Sequence, residues 1–504
     1  MCLDERYKGY IGRFLPRKSW GGFIGSKIEK NLAHISDRAW IEIVTNKNLH
    51  EEEHESWFPN EDNQITVSSI TQFAGSLGRM AERYPEQFGR LALRFPKDIH
   101  HDYVSAILAA IAKTKPGQGV PKDDAERWEQ ASVATVIAVW ERFCDMSEIE
   151  VLKAFCRLVS ARASEEWPEN AIDRLVLLAS EHSDPRPGCL VVDCNTSVDE
   201  ATTDTLFQNT INCVRGVAAE AIGHLLWRHK ELLVKLEPGI IALISHPHAV
   251  VRMSALSVII PAFNIVPSQA VEWFCIASQA DPRIPASRFG IEFFNRAFRQ
   301  YPEQLSPLIR KMVVSDYQDV AQQGAQAIIA FHLFYGLFED DLKTVISGKV
   351  AHRSGVARVA AHNITDERYA DRCRELLVPL FNDSDKDVRD IATSVFRDED
   401  FDLSDNNAVI TQYIDSKAFT DDPLVVLRNL SKYKCTLTPF SLVISGIVKI
   451  LTLDILNYAG NIILSQWEVT RILPSLLLRL YEQSVESEPN IANQCLDREC
   501  PIHS

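Results

Sequence analysis

Apolar residues recur along this chain at the spacing of a helix face. Between residues 373 and 381, Cys373, Leu376, Leu377, Leu380 and Phe381 fall at i, i+3, i+4, i+7 and i+8. The polar stretch Asn382–Asp387 interrupts them. Val388, Ile391, Ala392, Val395 and Phe396 then repeat the same spacing. Each segment predicts a helix with one apolar stripe, and such a stripe has to be covered by a neighbour. One pair of helices cannot bury both stripes, whereas a stack of pairs can.

The second stripe recurs upstream. Val214, Val217, Ala218, Ala221, Ile222, Leu225 and Leu226 follow it, as do Val251, Ala255, Val258 and Ile259. Weaker copies begin at Val320 (with Gly324, Ala327 and Ile328) and at Val356 (with Val359, Ala360 and Ile364). The leading valines are 37, 69, 36 and 32 residues apart. The double interval predicts one more unit near residue 285, where the helix Pro285–Arg299 would carry Phe289, Phe293 and Phe294. A small residue four after each valine (Ala218, Ala255, Gly324, Ala360, Ala392) lets paired helices approach closely. Tyr84-Pro85-Glu86-Gln87 and Tyr301-Pro302-Glu303-Gln304 form a second self-similarity. In each, proline suits the first helical turn and glutamate the positive helix end.

These repeats predict an all-α fold, an α-solenoid of degenerate helix pairs. Val214-Arg215, Val251-Arg252 and Val388-Arg389, with the Asp-rich turn before Val388, resemble HEAT repeats over residues 205–400. That resemblance implies a right-handed α-α superhelix of the armadillo type. Val320 and Val356 lack the adjacent arginine. The expected organisation is a linker and lead-in helix (1–62), N-terminal helical repeats (63–181), an irregular loop (182–204) and the repeat core (205–400). An acidic linker (401–436), C-terminal helices (437–485) and a tail (486–504) follow. In the first segment, Ser36 reads as the N-cap of a helix that carries Trp40, Ile41 and Val44, with Ile35 and Trp40 as a hydrophobic staple.

Charge and cysteine usage narrow the function classes. The chain of 504 residues carries 53 Lys+Arg against 68 Asp+Glu, a formal net charge of −15. That balance disfavours a nucleic-acid binder, whose footprint is basic. The excess of +4 over residues 1–30 is too small to reverse it. Eleven dispersed cysteines read as reduced thiols in a cytoplasmic protein. The uncharged run Met253–Val271 contains Pro261, Asn264 and Pro267, so it reads as two buried helices with a break rather than a membrane span.

Several motifs invite a chemistry. His50-Glu51-Glu52-Glu53-His54 fits the H-E-x-x-H pattern of zinc peptidases. Its two x positions are charged and no third ligand lies between Asp62 and Glu82, so a solvated acidic loop is the better reading. Gly21–Lys27 lacks the lysine placement of a phosphate-binding loop and reads as a glycine linker. Asp383-x-Asp385-x-Asp387 has Val388 in place of the glycine of a calcium loop, and Ser394 where the bidentate glutamate belongs, so it reads as an interhelical turn. Cys495, Cys500 and His503 are three zinc-type ligands without a fourth, and Cys189-x4-Cys194 lies in a distant loop. Trp227-Arg228-His229-Lys230 reads as a basic helix end, with a Trp/Arg contact site as the alternative. No catalytic, cofactor or metal residue is assigned.

One further resemblance concerns the stretches Ser19–Phe23, Ile35–Trp40, Tyr84–Pro96 and Cys213–Ile222. They resemble the C-terminal helical region of large bacterial STAND/NACHT-type NTPases of antiviral defence. The resemblance implies a ligand-sensing helical array whose partner is a phage protein or an NTPase subunit. The nucleotide-binding core itself has no counterpart here. The expectation is a non-catalytic protein-interaction module without a cofactor, a nucleic-acid partner or membrane contact. The alternatives are a HEAT-like helical enzyme or nucleic-acid-binding protein, and a structural scaffold.

Overall fold

Ser36 caps the first helix as its sequence predicts, its Oγ accepting from the Ala39 N–H at 3.3 Å. Trp40, four residues on, is buried and meets Phe88 edge-on at 6.0 Å. The computed structural model describes residues 32, 34–46, 70–118, 120–398, 401–403, 405–422, 424–433, 436–448, 465–485 and 491. Gly21–Lys27, His50, His54, Cys495, Cys500, His503 and the Ser19–Phe23 stretch lie outside the described residues. Among the described residues there is no strand. The fold is an α-solenoid of stacked helix pairs.

The chain divides into two compact units, Met1–Ala277 and Ser278–Ser504. The first holds α1 (Asp37–Thr45), α2 (Ile70–Arg83), α3 (Pro85–Ala92), α4 (His101–Ile111), α5 (Lys122–Glu126), α6 (Val133–Phe143) and α7 (Ile149–Ala161). It continues with α8 (Glu169–Glu181), α9 (Thr203–Thr210), α10 (Val214–Arg228), α11 (Leu233–Ile244), α12 (Ala249–Ser254), α13 (Leu256–Phe263) and α14 (Pro267–Gln279), whose last turn runs past the division. One row of helices packs in succession, α2 on α4, α4 on α7, α7 on α10 and α10 on α13. A second layer pairs α3 with α6 and α8 with α11. The uncharged run 253–271 is spread over α12, α13 and the start of α14, so its apolar character is core burial. No described helix is long and apolar enough to cross a membrane.

The second unit holds α15 (Arg283–Ala286), α16 (Arg288–Ala297), α17 (Pro302–Val313), α18 (Gln318–Tyr335), α19 (Glu339–Ile346), α20 (Val350–Asn363), α21 (Ala370–Leu377) and α22 (Lys386–Ala392). Here α18 packs on α20 and α20 on α22, while α17 and α21 back them from the other layer. α16, capped by Ser287, is the unit expected near residue 285. The N-caps at Cys213, His248, Ser287, Tyr317, Lys349, Asp385 and Ser416 give intervals of 30 to 39 residues.

Packing bears out most stripes and corrects three expectations. Val214, Val251, Val320, Val356 and Val388 are all buried. Val356, however, lies in the second turn of α20, which begins at Val350, so His352-Arg353 occupies the place of the valine-arginine pair. Ile391 is only half-buried, because α22 ends at Ala392 and a 3-10 turn (Thr393–Arg397) rotates the stripe onto Val395 and Phe396. Residues 401–436 are not a linker. They hold α23 (Asn407–Ile414), α24 (Lys417–Asp421) and α25 (Leu427–Lys432), with Tyr413 and Phe419 meeting edge-on at 5.2 Å in the core. The acidic residues that suggested a linker serve as bonding groups, as Asp421 does for Arg389.

Glycine marks the closest helix approaches. A Cβ at Gly223 on α10 would stand 2.3 Å from the Ser257 carbonyl oxygen on α13. One at Gly324 on α18 would stand 2.6 Å from the Val313 nitrogen at the end of α17. No larger residue fits between these backbones without moving them.

Candidate functional site

The arginines of the valine-arginine pairs are buried and spent on structure. Arg215 donates to the carbonyls of His182 and Ala179, and Arg252 to those of His246 (2.7 Å) and Pro247 (2.8 Å). Arg389 donates to the Asp383 carbonyl at 2.7 Å and to the Asp421 carboxylate at 2.6 Å. Each guanidinium thereby satisfies carbonyls left unpaired in an interhelical turn.

In the turn Asp383–Asp387 the carboxylates of Asp383 and Asp385 are engaged in the same way. The Asp383 carboxylate accepts from Arg353 at 2.6 and 2.9 Å and from the Asp385 N–H at 2.8 Å. Burial alone would raise the Asp383 pKa; the bonds from Arg353 and the Asp385 amide outweigh it and hold the pKa below the usual value. Asp385 caps α22 through the Asp387 N–H at 2.9 Å.

Residues 182–202 hold no helix, α9 beginning at Thr203, and the stretch is anchored. Asn209, buried on α9, accepts from the N–H groups of Val191 (2.6 Å) and Val192 (2.8 Å) and donates to the Val192 carbonyl. His248 Nδ1 accepts from the Val250 N–H, which leaves Nε2 to donate to the Cys189 carbonyl at 3.1 Å. His182 and His246 likewise accept a backbone N–H through Nδ1. Burial, then the charges of Arg215, His248 and Arg252, lower the His246 pKa to about 4. The Cys189 and Cys194 side chains are exposed.

Trp227, at the end of α10, is 45% exposed and lines a groove with Ser160, Ser164, His224 and Arg228. Ser160 on α7 bonds to His224 Nδ1 across 64 residues of sequence. This bond links α7 to α10.

A wide recess lies in the second unit and was not legible in any single segment. A groove of about 640 Å³ crosses α16, α18, α20 and the turn 393–398. Phe294, Ala327, Ala330, Phe331, Val359 and Val395 make its apolar surface. Phe331 is fixed by stacking on Phe298 at 4.1 Å, and Phe334, 40% exposed, leans on Tyr369 at 5.1 Å. The polar lining is less committed. Asn295, Gln323, Arg358 and His362 have no side-chain partner among the described residues, and Gln326 buries an Nε2 that finds no acceptor. An apolar floor with a few convergent polar groups is the arrangement of a binding groove.

No family model matches the chain, and no curated protein does. Among solved structures the chain is similar to one from the Kap95:Nup1 complex, with 13% identity, a TM-score of 0.42 and 90% of this chain covered. The chain spans 57% of that protein's length. An engineered protein matches at 12% identity with a TM-score of 0.26, covering 92% of this chain and 98% of its own. A structure of the Pds5-Scc1 complex matches at 12% identity with a TM-score of 0.24, covering 89% of this chain and 70% of its own.

Proposed function

We propose that this chain is a non-catalytic helical-repeat module that binds a protein partner through the groove of its second unit. The observation that carries this reading is the groove itself. It runs across the alternate helices α16, α18 and α20 and combines an apolar floor with polar groups that the fold leaves unused. Helical arrays use such extended surfaces for recognition. A nucleic-acid partner is disfavoured, because a phosphate track needs several cations and Arg358 is the one Lys or Arg in the lining.

The resemblance to the sensor region of STAND/NACHT-type NTPases supports a narrower reading, a cytoplasmic ligand-sensing half in antiviral defence. Its motif residues are packing residues: Trp40, Phe88, Phe95, Val214 and Ile222 are all buried. They account for the array and supply no ligand chemistry, so this reading rests on the sequence resemblance.

Affinity capture from the source cells tests the main reading, with the native chain and an Ala330→Arg variant as paired baits. The variant places a long cation in the groove. A protein retained by the native chain and lost from the variant supports the reading. Nucleic acid retained by both, with no protein, rejects it.

A further inference from the structure

We propose that the groove across α16, α18 and α20 takes an extended peptide segment that presents a carboxylate close to an aromatic or aliphatic side chain. This rests on the groove being the binding surface and goes further by naming the chemistry of its occupant.

The lining contains two formally charged side chains, Arg358 and Asp398. Asp398 has an interaction of its own, whereas Arg358 is exposed and has no carboxylate partner among the described residues. Three nearby arginines are by contrast ion-paired: Arg353 with Asp383, Arg389 with Asp421 and Arg374 with Asp371. In a chain with a net charge of −15, an exposed guanidinium that makes no ion pair among the described residues is a local exception. It is complementary to a carboxylate, which it can hold through two parallel N–H donors.

The uncharged groups set the rest. Gln326 Nε2 is buried without an acceptor, so its amide gains a hydrogen bond by turning toward a ligand oxygen in the groove. Gln323 and Asn295 each offer a donor and an acceptor, the pair of functions carried by a peptide unit. Beside them the partly exposed ring of Phe334 gives an apolar side chain a flat surface. The recess crosses alternate helices rather than closing into a pocket, so an extended chain can lie along it.

The test is selection from a phage-displayed random dodecapeptide library on the immobilised full chain. Synthetic copies of the enriched peptides are then measured by fluorescence polarisation. The expected result is enrichment of Asp or Glu next to Phe, Leu, Ile or Trp. Affinity should fall about tenfold or more when the acid is replaced by its amide or when the protein carries Arg358→Glu. A peptide with Lys in place of the acid should regain affinity for Arg358→Glu. Both variant positions, 330 and 358, line the groove, and a far-UV circular dichroism melt checks that each variant folds. Enriched peptides that lack an acid but are lost on Ala330→Arg would overturn the carboxylate proposal and leave the groove reading standing. Peptides that bind Ala330→Arg as well as the native chain, or no enrichment at all, would overturn both.

Discussion

The Arg353 guanidinium on α20 closes two hydrogen bonds, of 2.6 and 2.9 Å, on the carboxylate of Asp383, thirty residues downstream. Asp383 is itself anchored to the Asp385 N–H at the start of the next unit, and Arg353 also donates to the Gly348 carbonyl. One ion pair thus ties two successive repeats. The relation recurs: Arg389 reaches Asp421 and Arg310 reaches Asp341 across nearly the same interval.

Removing one partner of the Arg353–Asp383 pair leaves a largely buried group uncompensated. The Asp383 side chain is 6% exposed and that of Arg353 18%. Arg353→Ala or Asp383→Ala should therefore cost roughly 2–4 kcal/mol, toward the lower end of the range for breaking a buried pair. The double variant should cost less than the sum of the two, which urea titration of the four proteins checks.

Truncations along one predicted stripe should separate by burial. Leu377 is fully buried, so Leu377→Ala should lose about 2–5 kcal/mol. Ile391 is half-buried beside the 3-10 turn, and Ile391→Ala should lose roughly 1 kcal/mol, in proportion to the smaller area it hides. Equal losses in denaturant unfolding would contradict the register described for α22.

Gly223→Ala tests the helix contact between α10 and α13. Alanine is the better helix former by about 1 kcal/mol. Its methyl group would nevertheless meet the Ser257 carbonyl oxygen at 2.3 Å. The expected outcome is a net destabilisation of about 1–3 kcal/mol, the cost of overpacking, read from the urea midpoint.

Histidine protonation should weaken the anchorage of the loop 182–202. His182, His246 and His248 all have lowered pKa values, with burial as the first cause. Each ring accepts a backbone N–H at Nδ1, the atom a second proton would occupy. A group whose folded pKa is depressed binds fewer protons folded than unfolded between the two values. The stability it contributes is full above pH ~6.5 and is lost as the pH falls toward 4, the His246 value. Thermal melts at pH 7 and pH 5 should show this fall, and His246→Asn should flatten it. A melting temperature independent of pH over this window would contradict the assignment.

The repeats were legible because their signal is local. An apolar residue every three or four positions is visible within one helix, and Val214, Val251, Val320 and Val388 all proved buried. The unit at Val356 was misaligned because His352 fills the position that valine holds elsewhere, bonding to the Val313 carbonyl at 2.8 Å. Asp421 looked like part of a linker because its partner, Arg389, lies 32 residues away. The groove was illegible for the same reason. Asn295, Gln323, Gln326 and Arg358 come from three helices, and no spacing within any one of them signals a common surface.

The most direct test of a protein-binding groove is site-specific photo-crosslinking in the source cells. A benzoylphenylalanine placed at Phe334, on the groove, is compared with one at Val234, which is 80% exposed in the first unit. The groove reading predicts a discrete protein adduct from position 334, absent at position 234 and suppressed by Ala330→Arg. An adduct from position 234 alone, or one at 334 that survives Ala330→Arg unchanged, would contradict it.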